Sequence, residues 1–246
     1  MKSEDPEVLR VKRKGRGSLL CRRVEFDAGT AGVSQSEQLV CFLPWLLSYG
    51  NCRKARLLPP NLLAAYEMPH GIVSSSPETC VAALQVVVDD FLELMLERSL
   101  QPAKLTLLGL SIGNFAATYI ANMIGARLWA VAPGDRGEVL LWNSSIARGL
   151  RSQAEARGFG YADFEATLKA FNPVNNLRHI GAGSTFIVGR FDTVVPYRSA
   201  MNVATEAKAN NPTARNLVLP LGHSSTLFTG VQLLRFNLWN RKCRAA

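Results

Sequence analysis

Ser111 stands in Gly109-Leu110-Ser111-Ile112-Gly113, a G-x-S-x-G pattern and the sharpest chemical feature of the chain. A serine hydroxyl is a poor nucleophile at neutral pH. It becomes a good one when a hydrogen-bonded imidazole takes its proton during attack and later returns it to the leaving group. An acid behind the imidazole holds one tautomer and stabilises the imidazolium. The sequence has three histidines, His70, His179 and His223, and Asp135, Asp163 and Asp192 lie between Ser111 and the last of them. Each candidate also has an ordinary reading: Ser111 as a helix N-cap, Asp192 as a turn residue, His223 as a surface or capping histidine. The motif alone would occur by chance in roughly one chain in ten of this length, so its setting has to decide.

That setting is a strand running straight into a helix. KLTLLGL (104–110) predicts a strand and NFAATYIANMIGA (114–126) a helix. A tight strand–helix turn holds a serine in a strained conformation, and glycines two residues to either side let the two elements approach closely. The hydroxyl then stands above the sheet at the positive end of a helix. Further strands are predicted at 19–26, 39–43, 71–75, 127–132, 184–189 and 216–221, with a helix expected within 52–67, broken or started near Pro59-Pro60. The strongest helix signal covers 77–99, and two more helices fall at 196–209 and 225–239. Alternating strands and helices of these lengths imply an α/β domain with a mostly parallel sheet, helices on both faces and right-handed crossovers. Residues 134–180 exceed an ordinary connection and read as a short helical cap inserted over the carboxyl edge of the sheet. Residues 1–17 read as a flexible basic arm, leaving 18–246 as one domain.

From about residue 39 onward the chain resembles the α/β-hydrolase superfamily of serine esterases, lipases and thioesterases. The resemblance implies a triad in the order serine, acid, histidine. His70 precedes Ser111, and His179 precedes the strand that should deliver the acid. His223, in Leu219-Pro220-Leu221-Gly222-His223, follows the last strand as the family's histidine does. Gly189-Arg190-Phe191-Asp192-Thr193-Val194-Val195-Pro196 is similar to the family's acid loop, which makes Asp192 the acid and Asp135, after the preceding strand, the reserve. The oxyanion donors implied are the backbone N–H of Ile112 and that of Trp45, in the loop after the 39–43 strand. Many members carry His-Gly in that loop, whereas this chain reads Leu43-Pro44-Trp45, and Pro44 has no N–H to give. Trp45, Leu46, Trp142 and Phe228 are expected to line an acyl pocket. The family commonly has two strands ahead of the 39–43 strand, and only one is legible here.

Composition sets the outer bounds. Apolar residues make up 48% of the 246, enough for a sizeable core, and the net charge is +9. Arg10, Lys12, Arg13, Lys14, Arg16, Arg22 and Arg23 form a basic run without acids or aromatics. It reads as a solvated arm whose one available task is weak peripheral contact with anionic surfaces. The five cysteines (Cys21, Cys41, Cys52, Cys80 and Cys243) are odd in number and widely spaced, with no C-x-x-C pair, which points to a reducing compartment. The first residues lack an apolar signal-peptide core, no apolar stretch of spanning length is present, and a cytoplasmic location is expected. No metal or cofactor motif is found, so none is expected. Three functions are compatible with these features. They are hydrolysis of a carboxylic ester or thioester through an acyl-serine, acyl transfer by the same triad, and a non-catalytic ligand- or protein-binding role. An intact triad disfavours the third.

Overall fold

Apolar side chains alternate between two cores along the central strands. Val40 and Phe42 face one core while Leu39 and Cys41 face the other; Leu128 and Ala130 face the first, Trp129 and Val131 the second. That period of two, with both faces buried, is what a central strand of a covered sheet requires. The computed structural model describes residues 8–26, 38–59, 62–144 and 147–245. Within them lie strands β1 (Val8–Lys14), β2 (Cys21–Phe26), β3 (Gln38–Phe42), β4 (Leu62–Glu67), β5 (Leu105–Leu110), β6 (Arg127–Val131), β7 (Thr185–Gly189) and β8 (Arg215–Leu219). They form one sheet in the order β1-β2-β4-β3-β5-β6-β7-β8. β2 runs antiparallel to both β1 and β4, and the pairings from β4 through β8 are parallel.

Helices α2 (Pro77–Glu97), α3 (Gly113–Ile124) and α7 (Tyr197–Asn210) contribute to the first core, and α1 (Tyr49–Lys54) and α8 (His223–Ala245) to the second. α2 starts where Ser76 accepts the Thr79 N–H at 3.3 Å and Pro77 takes the first turn. Its buried residues recur at 80, 83, 84, 87, 91 and 94, the stripe of a helix lying on a core. Between β6 and β7 the chain forms α4 (Gly137–Asn143), α5 (Arg148–Ala156) and α6 (Tyr161–Leu168). Leu141, Ala147, Ala154, Phe164 and Leu168 from this segment close a third small core against Cys80 of α2. Among the described residues no helix is long and apolar enough to cross a membrane.

Three sequence expectations are corrected. The helix expected within 52–67 is only α1, after which the chain becomes β4. LLAAYE is made of good helix formers, but the site between β2 and β3 buries nearly all of it, and tertiary burial overrides propensity. The strand expected at 71–75 is a single tight turn at His70–Ile72 that leads into α2. The flexible arm of 1–17 is, over Val8–Lys14, the edge strand β1, so two strands precede β3 rather than one. Residues 1–7 lie outside the described residues. The basic run folds because acids meet it. Arg10 pairs with Glu25 at 2.9 Å and Glu97 at 3.1 Å, Lys12 with Glu97, and Lys14 with Glu93. Arg23, 1% exposed, reaches Asp90 at 2.7 Å, Glu97 at 3.0 Å and Glu25 at 3.1 Å. The charges read as solvated thus bind β1 and β2 to α2.

Candidate active site

β5, β6, β7 and β8 are parallel neighbours, so the loops after them open on one edge of the sheet. Ser111 follows β5 with φ of 52°, the left-handed region that a residue with a Cβ rarely occupies. The surroundings hold it there. The Ser111 N–H donates to the Val131 carbonyl at 3.0 Å, and the Asn114 side-chain amide donates to the carbonyls of Ser111 and Val131, both at 2.9 Å. The two glycines of the motif are required by contact. A Cβ on Gly113 would sit 2.3 Å from the Phe42 carbonyl oxygen, and one on Gly109 would sit 2.4 Å from Asn114 Oδ1. Asn114 was not singled out from the sequence; its signal is an amide in the first turn of the helix that follows the motif.

Asp192 and His223 meet across the ends of β7 and β8. The ladder continues past the strands, with the Arg190 N–H donating to Leu219 at 2.8 Å and the Phe191 N–H to Leu221 at 3.1 Å. A Cβ on Gly189 would lie 2.4 Å from Thr226 Oγ1, so the two loops come together only around a glycine. Asp192 Oδ1 accepts the N–H groups of Val194 at 2.9 Å and Val195 at 2.8 Å. Its Oδ2 lies 2.7 Å from His223 Nδ1. With the Nδ1 proton directed at the carboxylate, Nε2 is left as the acceptor nitrogen. The Asp192 side chain is 2% exposed and that of His223 15%.

The other candidates are placed elsewhere. Asp135, the reserve acid, spends its oxygens on Ser199 Oγ at 2.5 Å and Asn202 at 3.0 Å, both on α7. His70 offers its carbonyl to Trp45 Nε1 at 3.4 Å, and the His179 N–H donates to Asn122. No hydrogen bond among the described residues uses the backbone N–H of Ile112 or of Trp45. Leu46, next to Trp45, also has a left-handed backbone, with φ of 63°.

Ser111 and Ile112 open onto a cavity of about 130 Å³. Trp45 lines it, as expected, together with Leu84 of α2, Phe115 of α3, Leu141 of α4 and Phe164 of α6. The other three expected pocket residues do not. Leu46 and Phe228 are 59% and 45% exposed, because their loop and helix turn them to solvent. Trp142 stands edge-on to Tyr161 and Phe164, with centroids 5.7 and 5.3 Å away, and braces the wall from behind. Cys80 also lines the cavity; burial pushes its thiol up to about 11, so it is no thiolate at neutral pH. Among the described residues no group of three or more His, Cys, Asp or Glu side chains could hold a metal ion.

No family model and no curated protein matches the chain. Solved structures do. An acylaminoacyl peptidase of Pyrococcus horikoshii superposes with a TM-score of 0.62 at 12% identity over 94% of this chain and 40% of that one. The Pyrococcus furiosus esterase Pf2001 gives 0.57 at 15% identity over 95% and 90%. The capsule O-acetyltransferase of Neisseria meningitidis serogroup A gives 0.60 at 11% identity over 94% and 95%. The chain has the α/β-hydrolase fold. It spans 40% of the length of the peptidase but nearly the whole of the esterase and the acetyltransferase. In α/β-hydrolase terms, Ser111 occupies the turn after the fifth strand, Asp192 the loop after the seventh and His223 the start of the last helix. The segment inserted between β6 and β7 is α4–α6.

Proposed function

We propose that this protein is a serine hydrolase that cleaves a carboxylic ester or thioester through an acyl-serine, with Ser111 as nucleophile, His223 as base and Asp192 as the residue that orients the base. The observation that carries this reading is the 2.7 Å contact of His223 Nδ1 with Asp192, which leaves Nε2 as acceptor on the sheet edge where the strained Ser111 turn opens onto an apolar cavity. In the first half-reaction, Nε2 takes the Ser111 proton as Oγ attacks the acyl carbon. The tetrahedral oxyanion is met by the backbone N–H groups of Ile112 and Trp45. It collapses with expulsion of the alcohol or thiol, which takes the proton from the imidazolium. In the second half, water attacks the acyl-serine by the same route and restores the Ser111 hydroxyl.

The cavity speaks to the acyl group. An apolar cavity of about 150 Å³ admits a benzene-sized guest, so one of about 130 Å³ suits a short chain or a single ring. The test is a panel of p-nitrophenyl esters and acyl-coenzyme A thioesters on the purified protein. Turnover is expected to peak at short acyl chains and to fall steeply for long ones. Products are analysed with and without an added acceptor alcohol; free acid as the main product in both supports hydrolysis, and an ester formed in preference to acid makes the protein a transferase. No turnover of any compound would overturn the proposal.

A further inference from the structure

The peptide planes on both sides of Ser111 meet at one side chain, Asn114. The plane ahead of Ser111 carries its N–H, which donates to the Val131 carbonyl at 3.0 Å. The plane behind it carries the Ser111 carbonyl and the Ile112 N–H. That carbonyl accepts the Asn114 backbone N–H at 3.0 Å and the Asn114 side-chain amide at 2.9 Å, and the same amide reaches the Val131 carbonyl at 2.9 Å. Both partners of the amide are carbonyl oxygens, which only accept, so its nitrogen is the atom that faces them. Asn114 is fully buried, and its Oδ1 has no partner among the described residues. The side chain is engaged through its NH2 alone. Gly109 makes room for it, since a Cβ there would lie 2.4 Å from Oδ1.

Neither carbonyl needs the amide for its own satisfaction, because each already accepts a backbone N–H. An ordinary helix start does not ask for it either. The first-turn N–H groups of a helix want acceptors, and Asn114 supplies a donor. What the amide adds is orientation. In a trans peptide the C=O and N–H point in opposite directions across a rigid plane, and no cis bond occurs among the described residues. Fixing the Ser111 carbonyl therefore fixes the Ile112 N–H. No hydrogen bond among the described residues uses that N–H, and Ile112 lines the cavity. Two donors on the carbonyl also polarise the peptide and strengthen its N–H as a donor.

Resting on the acyl-serine reading above, we propose that Asn114 is a positioning residue of the oxyanion site, which aims the Ile112 N–H at the developing oxyanion by holding the Ser111 carbonyl. A preorganised donor counts in the transition state, where the charge appears, and little in the ground state. Loss of the amide leaves substrate binding in place and removes part of the turnover.

The test is steady-state kinetics of Asn114→Ala on p-nitrophenyl propanoate. kcat is expected to fall about tenfold or more, short of the roughly 10²–10³-fold cost of losing a whole oxyanion donor. KM is expected to stay within about twofold of native. Asn114→Ser, too short to span both carbonyls, carries the same expectation and stands in if the alanine variant does not fold. Inhibition separates positioning from general damage. Ser111 Oγ adds to the carbonyl of trifluoromethyl ethyl ketone, its proton goes to His223 and the ketone oxygen becomes an oxyanion, whereas propanoate binds without forming one. The ketone is expected to lose affinity by the same factor as kcat/KM, and propanoate to bind as in the native protein. Thr118→Ala is the control. Thr118 is buried one turn further along α3, so its truncation loosens the same helix and leaves the amide in place; its kcat is expected to be native. Native kcat in the Asn114 variants, equal losses of ketone and propanoate binding, or an equal fall of kcat in Thr118→Ala would overturn the proposal and leave hydrolysis intact. A native protein with neither turnover nor ketone binding would overturn both readings.

Discussion

Ser111 keeps a backbone conformation that costs about 1–3 kcal/mol, and its neighbours are built to keep it there. Asn114 ties the Ser111 and Val131 carbonyls together, and Gly113 passes against the Phe42 carbonyl. Two predictions belong to this scale. Ser111→Ala is expected to lower kcat by about 10⁴-fold or more, with His223→Ala comparable and the double variant little worse than either, because the groups act as a unit. Steady-state kinetics checks this, with circular dichroism to show the fold retained; normal turnover by Ser111→Ala would contradict the assignment. Gly113→Ala would push a methyl group to 2.3 Å from a backbone oxygen. A loss of roughly 1–3 kcal/mol in denaturant unfolding is expected, as for other overpacked sites. An unchanged midpoint would mean that the turn has slack the structure does not show.

At the scale of elements, the charge cluster of β1, β2 and α2 replaces the flexible, solvated arm that the sequence suggested. A chain lacking residues 1–14 loses an edge strand and the ion pairs of Arg10, Lys12 and Lys14, and uncovers Arg23 and Glu25. Its melting temperature is expected to drop on the order of 5 °C or more. The hydrogen bond from Lys12 holds the Glu97 carboxyl below the usual range. Burial opposes the same effect at Glu25, but hydrogen bonds from Arg98 and Arg10 prevail. Carboxylates with lowered values stabilise the fold above their unfolded values of about 4.3 and lose that contribution as pH falls through the folded ones. The drop in melting temperature is therefore expected to be larger at pH 7 than at pH 3, and an equal drop would assign it to the strand pairing alone. Glu138 of α4 has the opposite sign. It is buried, one oxygen is unpartnered among the described residues, and desolvation raises its carboxyl, opposed by Asn172. Its ionisation weighs against the fold as pH rises past the unfolded value. Glu138→Gln is expected to raise the melting temperature at pH 8 and to leave it nearly unchanged at pH 4.

At the scale of the whole molecule, what could be read from the sequence follows from where the side chains are buried. β3, β5, β6 and β7 were legible because both faces are covered, so their residues form plain apolar runs, and the turn after β5 carries its own motif. β4 was hidden by alanines and leucines that suit a helix equally well. β1 was hidden because its partners for Arg10, Lys12 and Lys14 are acids on α2, some eighty residues further along the chain. The resemblance to the α/β-hydrolase superfamily implied Asp192 and His223, and the two side chains lie 2.7 Å apart. Most of the cavity wall was not legible, since Leu141, Phe164 and Leu168 reach it only through the packing of the α4–α6 segment on α2. The central claim is that one serine at the β5–α3 turn is activated for covalent chemistry. Fluorophosphonate labelling followed by intact-mass and peptide mass spectrometry tests it most directly. One adduct per chain on Ser111, abolished by Ser111→Ala and strongly reduced by His223→Ala, is the predicted result; no adduct on the native protein, or an adduct that persists in Ser111→Ala, would contradict it.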